Sequence, residues 1–213
     1  MEKDNILINK WEESQIFDKI FEKNLNKKII LDSDSNLKYL IISSWSNIDL
    51  EFSSSGDGAN FEIYGIFFSK NKDTIKWNIS VLLSNNNAKA NVYLLSLMWD
   101  DAIIKVKWSV DIGKWIKWVS WYLLEENVVL GKNIKINTLP ILNVASNDVH
   151  AWHWAKVQRL DNEKLFYMTS KWLSNSKSKE IIVKWYINYI LEKFDILEKE
   201  KNEIEELILN YLL

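Results

Sequence analysis

From Lys28 onward the chain sets short apolar runs between polar breaks: Ile29-Ile30-Leu31, Tyr39-Leu40-Ile41-Ile42, Ile48-Asp49-Leu50-Glu51-Phe52 and Phe61-Glu62-Ile63-Tyr64. The series continues with Trp77-Asn78-Ile79-Ser80-Val81, Asn91-Val92-Tyr93-Leu94-Leu95, Ile103-Ile104-Lys105-Val106-Lys107, Val128-Val129-Leu130 and Ile134-Lys135-Ile136-Asn137. Runs of this length, rich in β-branched and aromatic residues and bounded by Ser, Asn, Asp and Gly, predict strands. Many such strands at even spacing indicate a sandwich, a barrel or a β-solenoid. No strict repeat is present, so periodicity alone leaves those three open.

The pattern differs at both ends. Ile6, Ile8, Trp11, Ile16, Phe17, Ile20 and Phe21 fall at mixed three-to-four spacing among charges, which predicts one or two short helices within an N-terminal segment, 1–27. A β body is expected over 28–160 and a helical region over 161–213. In that region Asp161 can cap a helix carrying Leu165, Phe166 and Met168, and Ser174 one carrying Ile181, Ile182, Trp185, Ile190 and Leu191. A last helix, from about Ile196 to Leu212, is acidic on one side and apolar at Ile204, Leu207, Ile208 and Tyr211. Such a tail reads equally as a docking element or as a cover for one end of the β body.

Composition narrows the function classes. The 213 residues are 47% hydrophobic and 26% charged with net charge −2, enough for one or two soluble domains with a core. Arg159 is the only arginine and no basic block is dense, which argues against a nucleic-acid partner. No apolar run approaches the roughly 20 residues of a membrane-spanning helix, and Met1-Glu2-Lys3-Asp4-Asn5 lacks the layout of a signal peptide, so a cytoplasmic protein without membrane contact is expected. With no cysteine, disulfides, thiolate catalysis and a cysteine-ligated cluster held by this chain alone are excluded. There is no Gly-Lys-Ser/Thr phosphate loop, so ATP chemistry would belong to a partner. The pairs Asp100-Asp101 and Glu125-Glu126 read as solvated loop carboxylates without an accompanying nucleophile or base, and Gly56-Asp57-Gly58 as a turn.

Twelve Trp beside five Gly and one Pro is abnormal, since glycine averages about 7% of residues and loops depend on it. Indoles stand in turn-like contexts at Ser44-Trp45-Ser46-Asn47, Met98-Trp99-Asp100-Asp101, Ser120-Trp121-Tyr122 and Gly113-Lys114-Trp115-Ile116-Lys117-Trp118. Asn-, Ile- and Lys-rich composition is that of an AT-rich genome, and some bacterial lineages with such genomes read UGA as glycine. Two readings follow: many of these tryptophans are glycines decoded under the wrong code, or the chain is Trp-rich.

The closing stretch carries a family likeness. Thr138-Leu139-Pro140-Ile141-Leu142-Asn143-Val144 leads into Asn147-Asp148-Val149-His150-Ala151-Trp152-His153-Trp154-Ala155-Lys156-Val157, then Leu165-Phe166-Tyr167-Met168, Ser170-Lys171-Trp172-Leu173-Ser174 and Ile182-Val183-Lys184-Trp185-Tyr186-Ile187. This resembles the C-terminal signature of the SufB/SufD family of iron–sulfur cluster assembly: a proline before a strand, an Asp-Val pair, a His-Gly-Ala element, a Leu-Phe-Tyr helix and Ser-Arg-Gly-Leu. Where that signature has glycine this chain has Trp154, Trp172 and Trp185, and Lys171 stands in place of its arginine. His153-Trp154-Ala155 resembles the SufD form of the element. The chain is shorter than a typical SufD, which implies that N-terminal helices or coils are missing from it.

The resemblance implies a right-handed parallel β-helix followed by a helical region, and a scaffold without catalysis of its own. It implies pairing with a SufB-like subunit or a second copy through Asp148, Val149, His150, Ala151, Trp152, Trp154 and Ala155. It also implies docking of a SufC-like ATPase through Leu165, Phe166, Tyr167, Ser170, Lys171, Trp172 and Leu173. No stably bound cofactor is expected, only transient iron or an iron–sulfur cluster at the subunit interface, near His153, whose neutral imidazole is a competent iron ligand. His150 and His153, three apart on a strand, point to opposite faces and do not form one site. Two other readings remain at this point: a carbohydrate-active β-solenoid enzyme, which needs two facing carboxylates, and a degenerate structural partner with no part in cluster chemistry.

Overall fold

The computed structural model describes residues 3–160 and 162–212. Twelve strands run in chain order: β1 (Asp4–Ile8), β2 (Glu13–Phe21), β3 (Asn24–Leu31), β4 (Asn36–Ser44), β5 (Asn47–Ser54), β6 (Asn60–Ser69), β7 (Thr74–Leu83), β8 (Lys89–Met98), β9 (Ile103–Ile112), β10 (Val119–Val129), β11 (Lys135–Val144) and β12 (Val149–Arg159). Odd strands pair β1-β3-β5-β7-β9-β11 in one sheet and even strands β12-β10-β8-β6-β4-β2 in the other. All pairings are parallel. Each strand therefore pairs with the strand two positions away, and the chain winds as a parallel β-helix with one strand per sheet in every coil.

Side-chain parity builds the interior. Alternate residues of both sheets meet between them, so Ile29, Leu31, Leu50, Phe52, Phe61, Ile63, Ile79, Val81, Ile104 and Val110 are all essentially inaccessible to solvent. Tyr39 and Phe52, then Phe52 and Phe61, meet edge-on at centroid separations of 5.3 and 6.2 Å, the arrangement that aromatic quadrupoles favour. Outside, rung-to-rung amide and carboxylate contacts run along the stack: Asn47 to Asn24 at 2.9 Å, Asn60 to Asn36 at 3.0 Å, Asn78 to Asp49 at 2.9 Å and Asn143 to Asp111 at 2.6 Å. Sequence separation across those rungs grows from 23 to 24, 29 and then 32 residues, so the coils lengthen along the chain. That drift erases a strict repeat.

Two corners per coil turn the chain from sheet to sheet, and both place a residue in left-handed backbone. At one corner Trp11, Asp34, Gly58, Asn87 and Trp118 stack in register. The first four donate their N–H to the carbonyl preceding the left-handed residue of the next coil: Trp11 to Ser33 (3.1 Å), Asp34 to Asp57 (2.8 Å), Gly58 to Asn86 (2.9 Å) and Asn87 to Lys117 (2.9 Å). The other corner stacks Glu22, Trp45, Asn71, Asp101 and Asn133, with Glu22 donating to Ser44, Asn71 to Asp100 and Asp101 to Lys132. These bonds satisfy backbone N–H groups that would otherwise lie unpaired in the wall.

Residues 6–26 are not helical. They lie on β1, β2 and β3, and the reason is specific. Ile16 and Ile20 face the interior of the β-helix, while Phe17 and Phe21 face a second core outside the even sheet. A strand buried on both faces carries apolar residues at both parities, and here the result copies helical spacing. Ser120-Trp121-Tyr122 likewise belongs to β10 rather than to a turn, with Trp121 inside.

Three helices follow: α1 (Asn162–Ser170), α2 (Asn175–Leu191) and α3 (Glu198–Leu212). The expected cap at Asp161 lies outside the described residues; Ser174 caps α2, its Oγ accepting from the Lys177 N–H at 3.1 Å. Val183, Ile187, Ile190 and Leu191 of α2 and Ile204, Ile208 and Leu212 of α3 cover Leu40, Ile42, Ile66, Phe68, Leu95, Leu97 and Val128 on the outer face of the even sheet. The tail thus covers a side of the β body. Among the described residues, no helix is long and apolar enough to cross a membrane.

A charged group lies between the first two coils. Lys27 Nζ lies 2.5 Å from Asp18 Oδ2, which also accepts from the Tyr39 hydroxyl at 2.7 Å, and the Lys27 side chain is only 7% exposed. Burial, then the neighbouring Asp18 carboxylate, holds the Tyr39 hydroxyl well above the usual tyrosine range. Asp18→Ala should therefore cost about 3–5 kcal/mol, because it strands the Lys27 ammonium in a site of low polarity. Urea unfolding of the variant against the parent chain checks this.

Candidate subunit interface and its histidine

The last coil is where the predicted site residues gather. β11 and β12 end their sheets, each pairing on one side only, with β9 and β10. Unpaired parallel edges are templates for another chain unless charge or a covering element blunts them. Here the end coil instead exposes Leu139, Leu142 and Val144 on β11 and Trp152, Trp154 and Val157 on β12. Leu142, Val144 and Val157 lie at interior parity with no further coil over them among the described residues, whereas Leu139, Trp152 and Trp154 face outward.

Each predicted interface residue falls on this coil. Asp148 lies in the turn just before β12, and Val119 N–H donates to its carbonyl at 3.4 Å. Val149 and Ala151 are half-buried against the core, at interior parity, while His150 and Trp152 take the opposite parity. Trp152 stacks on Tyr122 with centroids 5.9 Å apart and planes 4° from parallel. The two histidines are separated as expected: His150 pairs in register with Ser120 and His153 with the inward-facing Leu123.

His153 sits at the inner rim of the open end. Its ring meets Trp108 at a centroid distance of 4.3 Å, and partial burial holds its pKa below the usual imidazole value, which favours the neutral form able to coordinate a metal. Among the described residues, no three His, Cys, Asp or Glu side chains converge on a point that could hold a metal ion. His153 can thus supply one donor to a shared site.

Two features escaped sequence reasoning, and both arise from Glu125-Glu126 lying within β10 rather than in a loop. Glu125 points inward, one coil below the open end, where its Oε1 accepts from Asn127 Nδ2 at 2.8 Å. Glu125 Oε2 and Asn127 Oδ1 are buried without a partner. Burial raises the Glu125 pKa, against the Asn127 hydrogen bond and the Trp108 indole, which lies close enough to favour the charge without reaching hydrogen-bond geometry. Glu126 points outward and accepts from the Tyr93 hydroxyl (2.7 Å), Lys156 Nζ (3.0 Å) and Gln158 Nε2 (3.1 Å), while Gln158 Nε2 also donates to the Tyr186 hydroxyl on α2. This network ties β8, β10, β12 and α2 together. The signal available beforehand was two adjacent acids at a strand's alternating parities.

The residues expected to dock an ATPase lie on α1 and the turn after it. Phe166 and Tyr167 are exposed, Leu165 and Leu173 half-buried, and the Lys171 ammonium lies over the Tyr167 ring at 5.7 Å. Ser170 Oγ donates to the Tyr167 carbonyl at 2.7 Å, and Trp172 is 98% exposed.

A family model described as "SUF system FeS cluster assembly, SufBD core domain" matches residues 21–185, most of the chain. The chain belongs to the SufBD family. Among curated relatives, an "Iron-sulfur cluster assembly SufBD family protein" of Mycobacterium leprae is 21% identical over 150 residues, 67% of this chain and 38% of that protein. One of Staphylococcus saprophyticus is 19% identical over 166 residues, 76% of this chain and 36% of that one. The "Iron-sulfur cluster assembly protein SufD" of Escherichia coli is 30% identical over a shorter stretch of 61 residues, 29% of this chain and 14% of that one. The chain spans less than two fifths of the length of these relatives.

The interior carboxylate yields a prediction with a definite sign. The Glu125 pKa in the folded state lies above its ordinary value of 4.5, so the fold disfavours the ionised form. That penalty is absent below the ordinary value and develops as pH rises through the folded one. Glu125→Gln should thus raise stability at neutral pH by about 1 kcal/mol and confer no gain in acid. Urea midpoints of parent and variant at the two pH values measure it.

Proposed function

We propose that this chain is a non-catalytic scaffold subunit of an iron–sulfur cluster assembly complex. It pairs through the open β11–β12 end with a SufB-like subunit or a second copy, and binds a SufC-like ATPase through α1 and the turn after it. The observation that carries the reading is the uncovered last coil, with two unpaired parallel edges, exposed apolar side chains and His153 at its inner rim. Membership in a family described by cluster assembly gives that end its meaning.

In this scheme iron or the nascent cluster is cargo, held where the two subunits meet. His153 contributes one neutral imidazole, and cysteine ligands come from a SufB-like partner, since this chain and any second copy of it have none. The Glu126 network links β12 to α2, and α2 packs against α1. Motion imposed on α1 by a bound ATPase would therefore reach the interface strand through a short series of contacts. A glycosidase reading lacks its carboxylate pair: Glu125 points into the β-helix and Glu126 out of it.

Co-purification with SufB-like and SufC-like proteins tests the scheme. Leu142→Asp together with Val157→Asp should abolish pairing while ATPase binding persists, because charge at a dry interface centre costs more than about 2 kcal/mol per site. Phe166→Ala with Tyr167→Ala should do the reverse. Loss of neither contact, or failure of the parent chain to bind either protein, removes the proposal. His153→Ala should leave both contacts intact and lower cluster yield; unchanged yield would assign the chain a purely structural part.

A further inference from the structure

Five tryptophans occupy left-handed backbone: Trp11 (φ 60°), Trp45 (37°), Trp115 (64°), Trp118 (56°) and Trp172 (68°). In that region Cβ crowds the following carbonyl, so glycine is favoured and Asn or Asp is tolerated through local hydrogen bonding. The other left-handed residues largely obey this rule, for they include Asp34, Asn71, Asn87, Asp101, Asn133 and Gly58.

Register makes the comparison direct. Trp11 and Trp118 take the same corner position that successive coils give to Asp34, Gly58 and Asn87, and Trp45 takes the position given to Asn71, Asp101 and Asn133. Trp172 ends α1 with two bonds, its own N–H to the Thr169 carbonyl at 3.1 Å and the Leu173 N–H to the Met168 carbonyl at 3.4 Å. That pair defines the Schellman end, whose left-handed residue is usually glycine. Burial does not offset the strain, since the five indoles are 71, 52, 92, 65 and 98% exposed in chain order.

Interior indoles fit no better. Trp77, Trp108 and Trp121 are buried with their N–H groups unpartnered, and native interiors rarely leave such donors unmade. The Trp77 ring centroid lies 3.4 Å from that of Phe67, inside the roughly 4.5–7 Å of a relaxed aromatic pair. Strained exposed indoles and frustrated buried ones occur together in a chain of twelve Trp and five Gly.

We propose that the polypeptide made in this protein's own cells has glycine at positions 11, 45, 115, 118 and 172, through UGA codons read as glycine, and that positions 77, 108 and 121 carry the same codon. The inference rests on backbone geometry and packing, independently of the family reading. Glycine at 108 would also leave room for water beside Glu125, whose Oε2 is buried without a partner.

Peptide mass spectrometry of the protein purified from its native cells decides the matter. Glycine-containing peptides are expected at these eight positions, each lighter than the tryptophan version by the indole side chain. Tryptophan at Trp118 and Trp172 in that material, or UGG codons there, overturns the proposal. A recombinant comparison reads the backbone separately. Changing Trp11, Trp45, Trp115, Trp118 and Trp172 together to Gly should raise the melting midpoint by several degrees over the parent, and changing the same five to Ala should fall short of the Gly chain. An Ala chain that equals or exceeds the Gly chain contradicts the requirement for glycine.

Discussion

Everything in this molecule depends on closing the corners. A parallel β-helix must turn its chain twice per coil without leaving main-chain donors unpaired in its wall. Here left-handed residues at most of the turns aim their N–H groups along the stack at the carbonyl of the next coil. That one bond sets the coil-to-coil register. Register in turn places the same parity inward on every rung and so builds the shared core of Ile, Leu, Val and Phe.

How much of this was legible in the sequence follows from the same geometry. Strands buried on one face, such as Ile48-Asp49-Leu50-Glu51-Phe52, show plain alternation and read correctly. The N-terminal strands did not, because Ile16 and Ile20 serve one core and Phe17 and Phe21 another, and two-sided burial looks like a helix in one dimension. Ser120-Trp121-Tyr122 has a turn-like context in the sequence, whereas the strand runs through it. The winding itself was beyond periodicity, since the coils lengthen; only the motif around Pro140–Leu191 pointed to it.

The site was legible in outline. Residues of the closing motif do gather on one coil and the two helices after it, because the motif spans consecutive elements there. Glu125 and Glu126 were invisible as functional groups until parity split them, one to a dry interior and one to a network reaching α2. The even sheet is consequently a wall between two cores. Its outer face holds the helices, and its last strand presents the open edge.

Coil lengthening has a consequence for assembly. With rungs separated by 23 residues near one end and 32 near the other, the stack tapers, so its two ends differ in girth. A head-to-tail column of copies would set a wide coil on a narrow one and leave rim donors and acceptors unmatched. Like ends match in girth, and a contact between two wide ends is self-complementary and closes after two subunits. The taper thus works against a head-to-tail column.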